Sequence, residues 1–260
     1  MSEPSIRALV LAGGRGTRLK PFTYVLPKPL VPVGDRPILL LLIERLKACG
    51  ITDLTLCVNH MADLLMTYFG DGEKFGVRIA YAMESEPLGT VAPLRRIAGL
   101  PDDFLVLNGD LLTDLDFSDL FRHHRQSGKL LTVGVTRREV RIDFGVLEMA
   151  NGELTSFSEK PVHEFWVSTG VYAFSRSVLG HIPEQGPFGF DQLMGRLLER
   201  RVPVGLYPFH GYWLDIGRPE DFERANEDVM KLETCPNPRL PFPDLSPRVG
   251  TGSDRPGGKE

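Results

Sequence analysis

The chain has 260 residues, 42% of them hydrophobic and 25% charged, with a formal net charge of −4. This is the composition of a globular protein able to bury a sizeable core. Its slight acidity and dispersed basic residues argue against a broad nucleic-acid or anionic-membrane surface, while leaving room for a local cationic pocket.

The first predicted element is a strand over residues 6–11, which runs into a glycine-rich turn holding Gly13, Gly14 and Gly16. Without Cβ atoms, such a turn can aim backbone N–H groups at an anion. Arg18, Lys20 and Lys28 follow within the same stretch, and the combination reads as a polyphosphate site. It is not a P-loop, because no Gly-x-x-x-x-Gly-Lys-Ser/Thr string occurs. Nor is it the dinucleotide fingerprint, because Leu19 stands where the third glycine belongs.

Further along, strands are predicted over 54–58, 77–81 and 104–107, alternating with helices over 37–49, 62–69, 91–98 and 117–127. Continuous apolar strands separated by helices predict a mostly parallel sheet covered on both faces. Ligands in such sheets bind beyond the carboxyl ends of the strands. That rule puts the glycine-rich loop and Asn108-Gly109-Asp110 on one edge.

The second half changes character. Strands over 130–136, 144–149, 154–158 and 167–174, with a turn at Asn151-Gly152, predict an antiparallel excursion. Helices return at 191–201 and 219–231, with a strand-like run over 202–207 between them. Residues 233–260 are rich in Pro and Gly and read as a flexible tail, leaving 1–232 as the folded domain. No hexapeptide repeat occurs, so no β-helix is predicted.

Cys49, Cys57 and Cys235 form no Cys-x-x-Cys pair, lie beside no motif and suit a reducing cytoplasm. The N-terminus lacks a signal pattern, and the apolar run 39–43 is ended by Glu44 and Arg45, too short for a membrane span. The expectation is a cytoplasmic protein. Six histidines lack zinc-like spacing and read as structural or solvated, with His124 on a helix surface.

Gly-Gly-x-Gly-Thr-Arg-Leu-x-Pro at 13–21, followed by Pro-Lys-Pro-Leu at 27–30, resembles the signature of the sugar-nucleotide pyrophosphorylases, the nucleotidyltransferases that act on sugar 1-phosphates. Further segments fall in that family's order, across about residues 6 to 230. The resemblance implies a Rossmann-like three-layer α/β/α fold, with a mostly parallel mixed sheet and a small antiparallel sugar-binding insertion. It also implies a Mg²⁺-dependent reaction between a nucleoside triphosphate and a sugar 1-phosphate, and relatives are often homo-oligomers. No nucleic-acid or membrane partner is expected.

The chemistry explains the residue types. The phosphate of one anion must attack the α-phosphorus of another while pyrophosphate leaves, so cations and metal-holding carboxylates are required. By resemblance, Arg18 and Lys28 are catalytic, and Leu11, Ala12, Gly13, Gly14, Gly16, Thr17, Glu86, Gly89 and Asn108 bind the nucleotide. Gly145, Glu159, Lys160, Gly170 and Val171 would take the sugar phosphate, and Asp110 and Asp215 the Mg²⁺. Read without the resemblance, Asp110 is a turn residue and Asp215 a helix N-terminal residue.

Glu86-Pro87-Leu88-Gly89-Thr90 looks more like the guanylyltransferases of mannose- or heptose-type 1-phosphates, which favours GTP. There Thr90 is expected to cap the helix over 91–98. Thymidylyl-, uridylyl- and cytidylyltransferases share the other parts. A regulatory subunit that binds a nucleotide sugar is the reading from a different class; it would usually lack one of Arg18, Lys28, Asp110, Lys160 or Asp215, and all five are present.

Overall fold

The protein is described from a computed structural model, which covers residues 6–84, 86 and 88–233. The tail expected over 233–260 lies outside the described residues, apart from the backbone of Glu233.

In chain order the strands are β1 (Arg7–Leu11), β2 (Pro32–Val33), β3 (Arg36–Pro37), β4 (Asp53–Val58), β5 (Arg78–Met83), β6 (Asp103–Asn108), β7 (Leu111–Thr113), β8 (Leu131–Arg141), β9 (Val146–Ala150), β10 (Glu153–Ser158), β11 (Val162–Ser175), β12 (Gly205–Pro208) and β13 (Trp213–Asp215). The helices are α1 (Ile38–Ala48), α2 (Ala62–Phe69), α3 (Phe117–Ser127), α4 (Phe190–Glu199) and α5 (Pro219–Glu233).

A seven-stranded sheet runs in the order β12-β8-β11-β6-β1-β4-β5. The pairs from β6 through β1 and β4 to β5 are parallel, whereas β11 is antiparallel to both β6 and β8. This is the mostly parallel mixed sheet expected. One face packs on α1, α2 and α3 through Leu42, Leu46, Leu65, Phe69, Phe117 and Leu120. The other packs on α4 through Leu193 and Leu197, with Phe104, Val106 and Phe174 from the strands.

Helix α1 illustrates why the apolar spacing works. Leu39, Leu42, Ile43 and Leu46 recur at helical period and are all buried, which is the stripe that a sheet-facing helix presents. A third cluster gathers Leu19, Val31, Leu112, Leu214, Ile216 and Val229, and so ties the glycine-rich loop segment to α5 and the short β7–β13 pair.

The helix expected over 91–98 is instead a 3₁₀ turn, Ala92–Arg96. Pro93 cannot donate a backbone hydrogen bond. The amides of Val91 and Ala92 are both taken by the Phe188 carbonyl, at 3.1 Å each. First-turn amides have no acceptor inside a helix in any case; beyond them Leu94 N–H donates to the Val91 carbonyl and Ile97 N–H to the Leu94 carbonyl, the i to i+3 bonds of a 3₁₀ turn.

The antiparallel excursion is longer than expected. β8 and β11 extend beyond the core as a paired stem, with Arg137 opposite Trp166 and Arg141 opposite Val162. β9 and β10 form a separate hairpin at its end. Their turn has φ of 52° at Asn151 and 85° at Gly152, as a two-residue hairpin turn requires.

Candidate active site

The polyphosphate loop is built by exhausting some amides and sparing others. Ala12 N–H continues the sheet by donating to the Cys57 carbonyl at 2.8 Å, so this expected nucleotide contact has no free amide. The amides of Gly13 through Gly16 donate to no other described residue. Gly16 holds the loop's left-handed turn at φ 59°, and a Cβ there would stand 2.8 Å from Thr23 and 3.0 Å from the Lys28 side chain. That glycine is fixed by the close approach of Lys28. A Cβ at Gly14 would meet nothing within 4 Å, because that position faces open space.

Gly13, Gly14 and Arg15 of this loop, but not Gly16, line a cavity of about 430 Å³. Leu11, Gly13, Gly14, Gly89, Asn108 and Asp110, all expected from the sequence, line it. So do Arg15, Asn59, His60, Glu84 and Thr90, which sequence reasoning missed. Asn59 and His60 directly follow β4, and Glu84 directly follows β5. The rule that ligands sit beyond the carboxyl ends of parallel strands could have found all three. Burial raises the Glu84 carboxyl above its usual range, against the opposing charge of Arg96.

Two short strands bring the carboxylates together. β13 pairs with β7 so that Asp215 lies opposite Leu111, and Ile216 N–H donates to the Asp110 carbonyl at 3.0 Å. Gly109 packs against the end of β1, where a Cβ would stand 2.8 Å from the Leu11 carbonyl oxygen. The Lys28 ammonium forms an ion pair with Asp110 Oδ2. Arg18 flanks the second carboxylate: a Cβ on Gly217 would stand 3.2 Å from both Arg18 Nη2 and Asp215 Oδ1.

The electrostatics of this cluster suit a bound cation. Asp110 Oδ1 is buried without a hydrogen-bond partner, a costly state for a carboxylate oxygen. Burial and then the neighbouring charge of Asp110 push the Asp215 carboxyl up to about 6, although Lys28 and Arg18 pull it down. No group of three or more His, Cys, Asp or Glu side chains among the described residues could hold a metal by itself. Two carboxylates are nonetheless the usual protein share for Mg²⁺, which takes its other ligands from water and substrate phosphates.

The expected sugar-phosphate residues divide into two groups. Gly170, at φ 73°, abuts Asn108, and the Trp213 indole N–H donates to the Thr169 carbonyl at 2.8 Å beside it. Val171 is fully buried, paired with Leu107 of β6, and presents no surface to a ligand. Gly145, Glu159 and Lys160 sit instead at the junction of stem and hairpin and are exposed. A Cβ at Gly145 would stand 2.7 Å from the exposed Phe157 ring and 3.2 Å from Glu159 Oε2. Thr17 is exposed, and Glu86 is exposed and does not line the cavity.

Two corrections concern side chains rather than motifs. Thr90 caps a different helix from the one expected: its Oγ accepts the Phe190 N–H of α4 at 2.9 Å. His124 is 1% exposed, bonded to Thr132 Oγ1 and Ser175 Oγ, because α3 turns it toward the sheet. Cys57 is buried, and desolvation with the nearby Glu84 charge pushes its thiol up to about 12, which leaves it inert. No helix among the described residues is long and apolar enough to cross a membrane.

A family model described as nucleotidyl transferase matches residues 7–231. A UTP–glucose-1-phosphate uridylyltransferase from Synechocystis sp. is 33% identical, over 95% of this chain and 69% of that protein. A mannose-1-phosphate guanyltransferase from Aspergillus oryzae is 35% identical, over 95% of this chain and 71% of that one. Among solved structures, a candidate glucose-1-phosphate thymidylyltransferase from Bacillus anthracis superposes with a TM-score of 0.67 at 27% identity, covering 86% of this chain and 94% of that one.

Proposed function

The chain belongs to the nucleotidyl transferase family, and from that premise we propose that it transfers a nucleoside monophosphate from a nucleoside triphosphate to a sugar 1-phosphate, releasing pyrophosphate. The observation that carries this reading is the meeting of free loop amides, two cations and two carboxylates at the carboxyl edge of the sheet.

In this reading the amides of Gly13 to Gly16 hold the triphosphate, while Arg18 and Lys28 neutralise the charge that builds on the departing pyrophosphate. Lys28 must exchange its partner, since its ammonium sits on Asp110 before substrate arrives. The residues fit Mg²⁺: Asp110 and Asp215 would hold it, and it would supply charge neutralisation across the reacting phosphates. Asn108 and the Gly170 backbone form the wall on the sugar side. Gly145, Glu159 and Lys160, on the arm, would meet the sugar phosphate when the arm packs toward the cleft. No covalent intermediate is needed, because the sugar phosphate itself attacks the α-phosphorus as pyrophosphate leaves.

For the base we favour guanine. Glu84 lines the cavity, and a carboxylate accepts two hydrogen bonds side by side. Guanine offers two adjacent donors, N1–H and the exocyclic amine, on its Watson–Crick edge; uracil and thymine offer one donor between two acceptors. The similarity to mannose-1-phosphate guanyltransferases supports GTP with a mannose-type 1-phosphate. The uridylyltransferase relative keeps UTP with glucose 1-phosphate as the second reading.

The test is pyrophosphate release over a grid of nucleoside triphosphates against mannose, glucose, N-acetylglucosamine and heptose 1-phosphates, with Mg²⁺. Turnover in the GTP row is expected. Turnover confined to UTP or dTTP would overturn the base assignment. Silence throughout, from protein that still binds a nucleotide sugar, would replace the enzyme with a regulatory subunit.

A further inference from the structure

The β5 edge of the sheet carries a second cavity, of about 300 Å³. β5 turns Ile79 and Tyr81 to the face packed on α1 and α2, so Ala80, Ala82 and Glu84 share the opposite face. They form the floor of the cavity with Thr55, which lies beside Ala80 on β4, and Arg7 of β1. Pro93 and Arg96 of the 3₁₀ turn, with Ile97 after it, line the other side.

The sequence leaves this space open in two ways. Alanine at 80 and 82 puts only a methyl group at each of these floor positions. The cover is a short 3₁₀ turn rather than a helix, and β5 is the last strand of the sheet. The resulting volume lies at the lower end of those that hold small molecules.

The charges in the lining favour an anion. Arg7 Nε donates to Thr55 Oγ1 at 3.1 Å and Nη1 to the Gly99 carbonyl at 3.2 Å, while Nη2 donates to no described residue. Its acidic neighbour Asp53, at 3.9 Å, is held more closely by Arg78, at 3.0 Å. Arg96 is exposed and forms no hydrogen bond or ion pair with a described residue. Glu84 is the one acid among the described residues of the lining. Guanidinium N–H groups left uncommitted suit a carboxylate or a phosphate. Ala80, Ala82, Pro93 and Ile97 supply apolar wall for the rest of a ligand.

Among the described residues, only Glu84 is common to this lining and to that of the glycine-loop cavity. The charge of Arg96 favours its ionised form. We propose that the second cavity binds a small organic anion, a carboxylate or phosphate on a compact apolar body, with Arg96 and Arg7 taking the charge. An anion drawn onto Arg96 withdraws that support from Glu84 and brings a like charge near it. Anion and nucleotide therefore oppose each other, and by linkage each weakens the other by the same factor. The site itself does not depend on the proposed reaction; the antagonism rests on the contact between Glu84 and the nucleotide in that reading.

Phenylacetate and phenyl phosphate are titrated calorimetrically into the full chain, with phenylacetamide as the uncharged control. Saturable binding of the anions is expected, with the amide weaker by about tenfold or more. Arg96→Ala should weaken the anions by about tenfold, and Ala80→Phe, which fills the floor, should abolish their binding. Lys28→Ala, at the glycine loop, should leave it unchanged.

GTP affinity, read by the same titration without Mg²⁺, should fall about fivefold when the cavity is saturated with phenylacetate, and Arg96→Ala should remove that fall. No saturable binding of either anion would overturn the proposal. So would binding that survives Arg96→Ala and Ala80→Phe but is lost in Lys28→Ala, which would put the probe on the glycine loop. Anion binding with an unchanged GTP affinity would keep the site and overturn the antagonism. A chain that binds no nucleoside triphosphate would fail the proposed reaction instead, and the anion titration would still decide the site.

Discussion

Gly170 lies so close to Asn108 that a Cβ on it would stand 2.6 Å from the Asn108 amide nitrogen. The contact joins the turn within β11 to the carboxyl end of β6, where Asn108 lines the cavity. Gly170→Ala meets both this overlap and a φ of 73°, for an expected cost of about 3 kcal/mol. Gly152→Ala has an equally positive φ, 85°, but open space around it, and should cost only about 1 kcal/mol. Denaturant titration of the two variants checks the difference.

Asp110→Ala and Asp215→Ala are each expected to lower turnover about 100-fold or more, through loss of metal-mediated charge stabilisation. Near-normal turnover in a folded variant would remove that carboxylate from the metal site. Stability should move the other way for Asp215→Asn. Because the Asp215 carboxyl is pushed up to about 6, holding it ionised at neutral pH strains the metal-free fold. The amide should raise the melting temperature of metal-free protein by a few degrees, and Mg²⁺ should stabilise the wild type but neither Asp110→Ala nor Asp215→Asn. Calorimetry with and without Mg²⁺ reads both effects.

The loop that carries Gly89 is pinned from a hundred residues away by the Thr90–Phe190 hydrogen bond. Thr90→Val keeps the shape and removes the acceptor, leaving an α4 amide unsatisfied. A loss of about 1 kcal/mol is expected, with a raised KM for the nucleotide and little change in KM for the sugar phosphate. An unchanged nucleotide KM would separate the cap from the cleft.

His124 provides a pH dependence with a definite sign. Burial lowers its pKa from the ordinary 6.5, against the raising influence of Asp103, and His123 lowers it further. Ser175 Oγ–H donates to Asp103 at 2.7 Å. Its oxygen is thus left to accept from Nε2–H, and Nδ1 accepts from the Thr132 hydroxyl. The neutral ring is the one that fits. Below the unfolded pKa the unfolded chain binds a proton that the folded one resists, so stability falls as pH drops below 6.5 and is complete above it. Denaturation midpoints at several pH values should decline toward the acid side, and His124→Gln should flatten that decline. A midpoint that rose on acidification through this window would contradict the assignment.

Residues 234–260 lie beyond the family match, which ends at 231. A chain ending at Glu233 is expected to keep turnover within about twofold, since every residue placed in the cleft precedes that point. A collapse of activity in this truncation would assign the tail a part in the folded unit.

Much of this protein was legible in order along the chain. Strand–helix alternation through the first half gives the parallel sheet, because apolar period and length are local properties. The glycine-rich loop and Asn108-Gly109-Asp110 were placed on one edge by a topological rule alone. What local pattern cannot supply is which distant group takes a given hydrogen bond. Phe188 accepts the amides of Val91 and Ala92, in a segment that closes as a 3₁₀ turn where a helix was expected. Thr90 caps α4 rather than its own segment.

The sequence by itself determined the chemistry on offer: phosphate-facing glycines, two cations and two carboxylates in a recognisable order. Only the tertiary structure decided how these groups spend their charge before a ligand arrives. It set Lys28 on Asp110 and brought Asp215 alongside through the pairing of β13 with β7. It also added Glu84, Asn59 and His60 to the cleft, and carried Gly145, Glu159 and Lys160 out on an exposed arm. The physical reason is that residue type and spacing fix local conformation, whereas burial, charge pairing and exposure depend on strands brought together from more than a hundred residues apart.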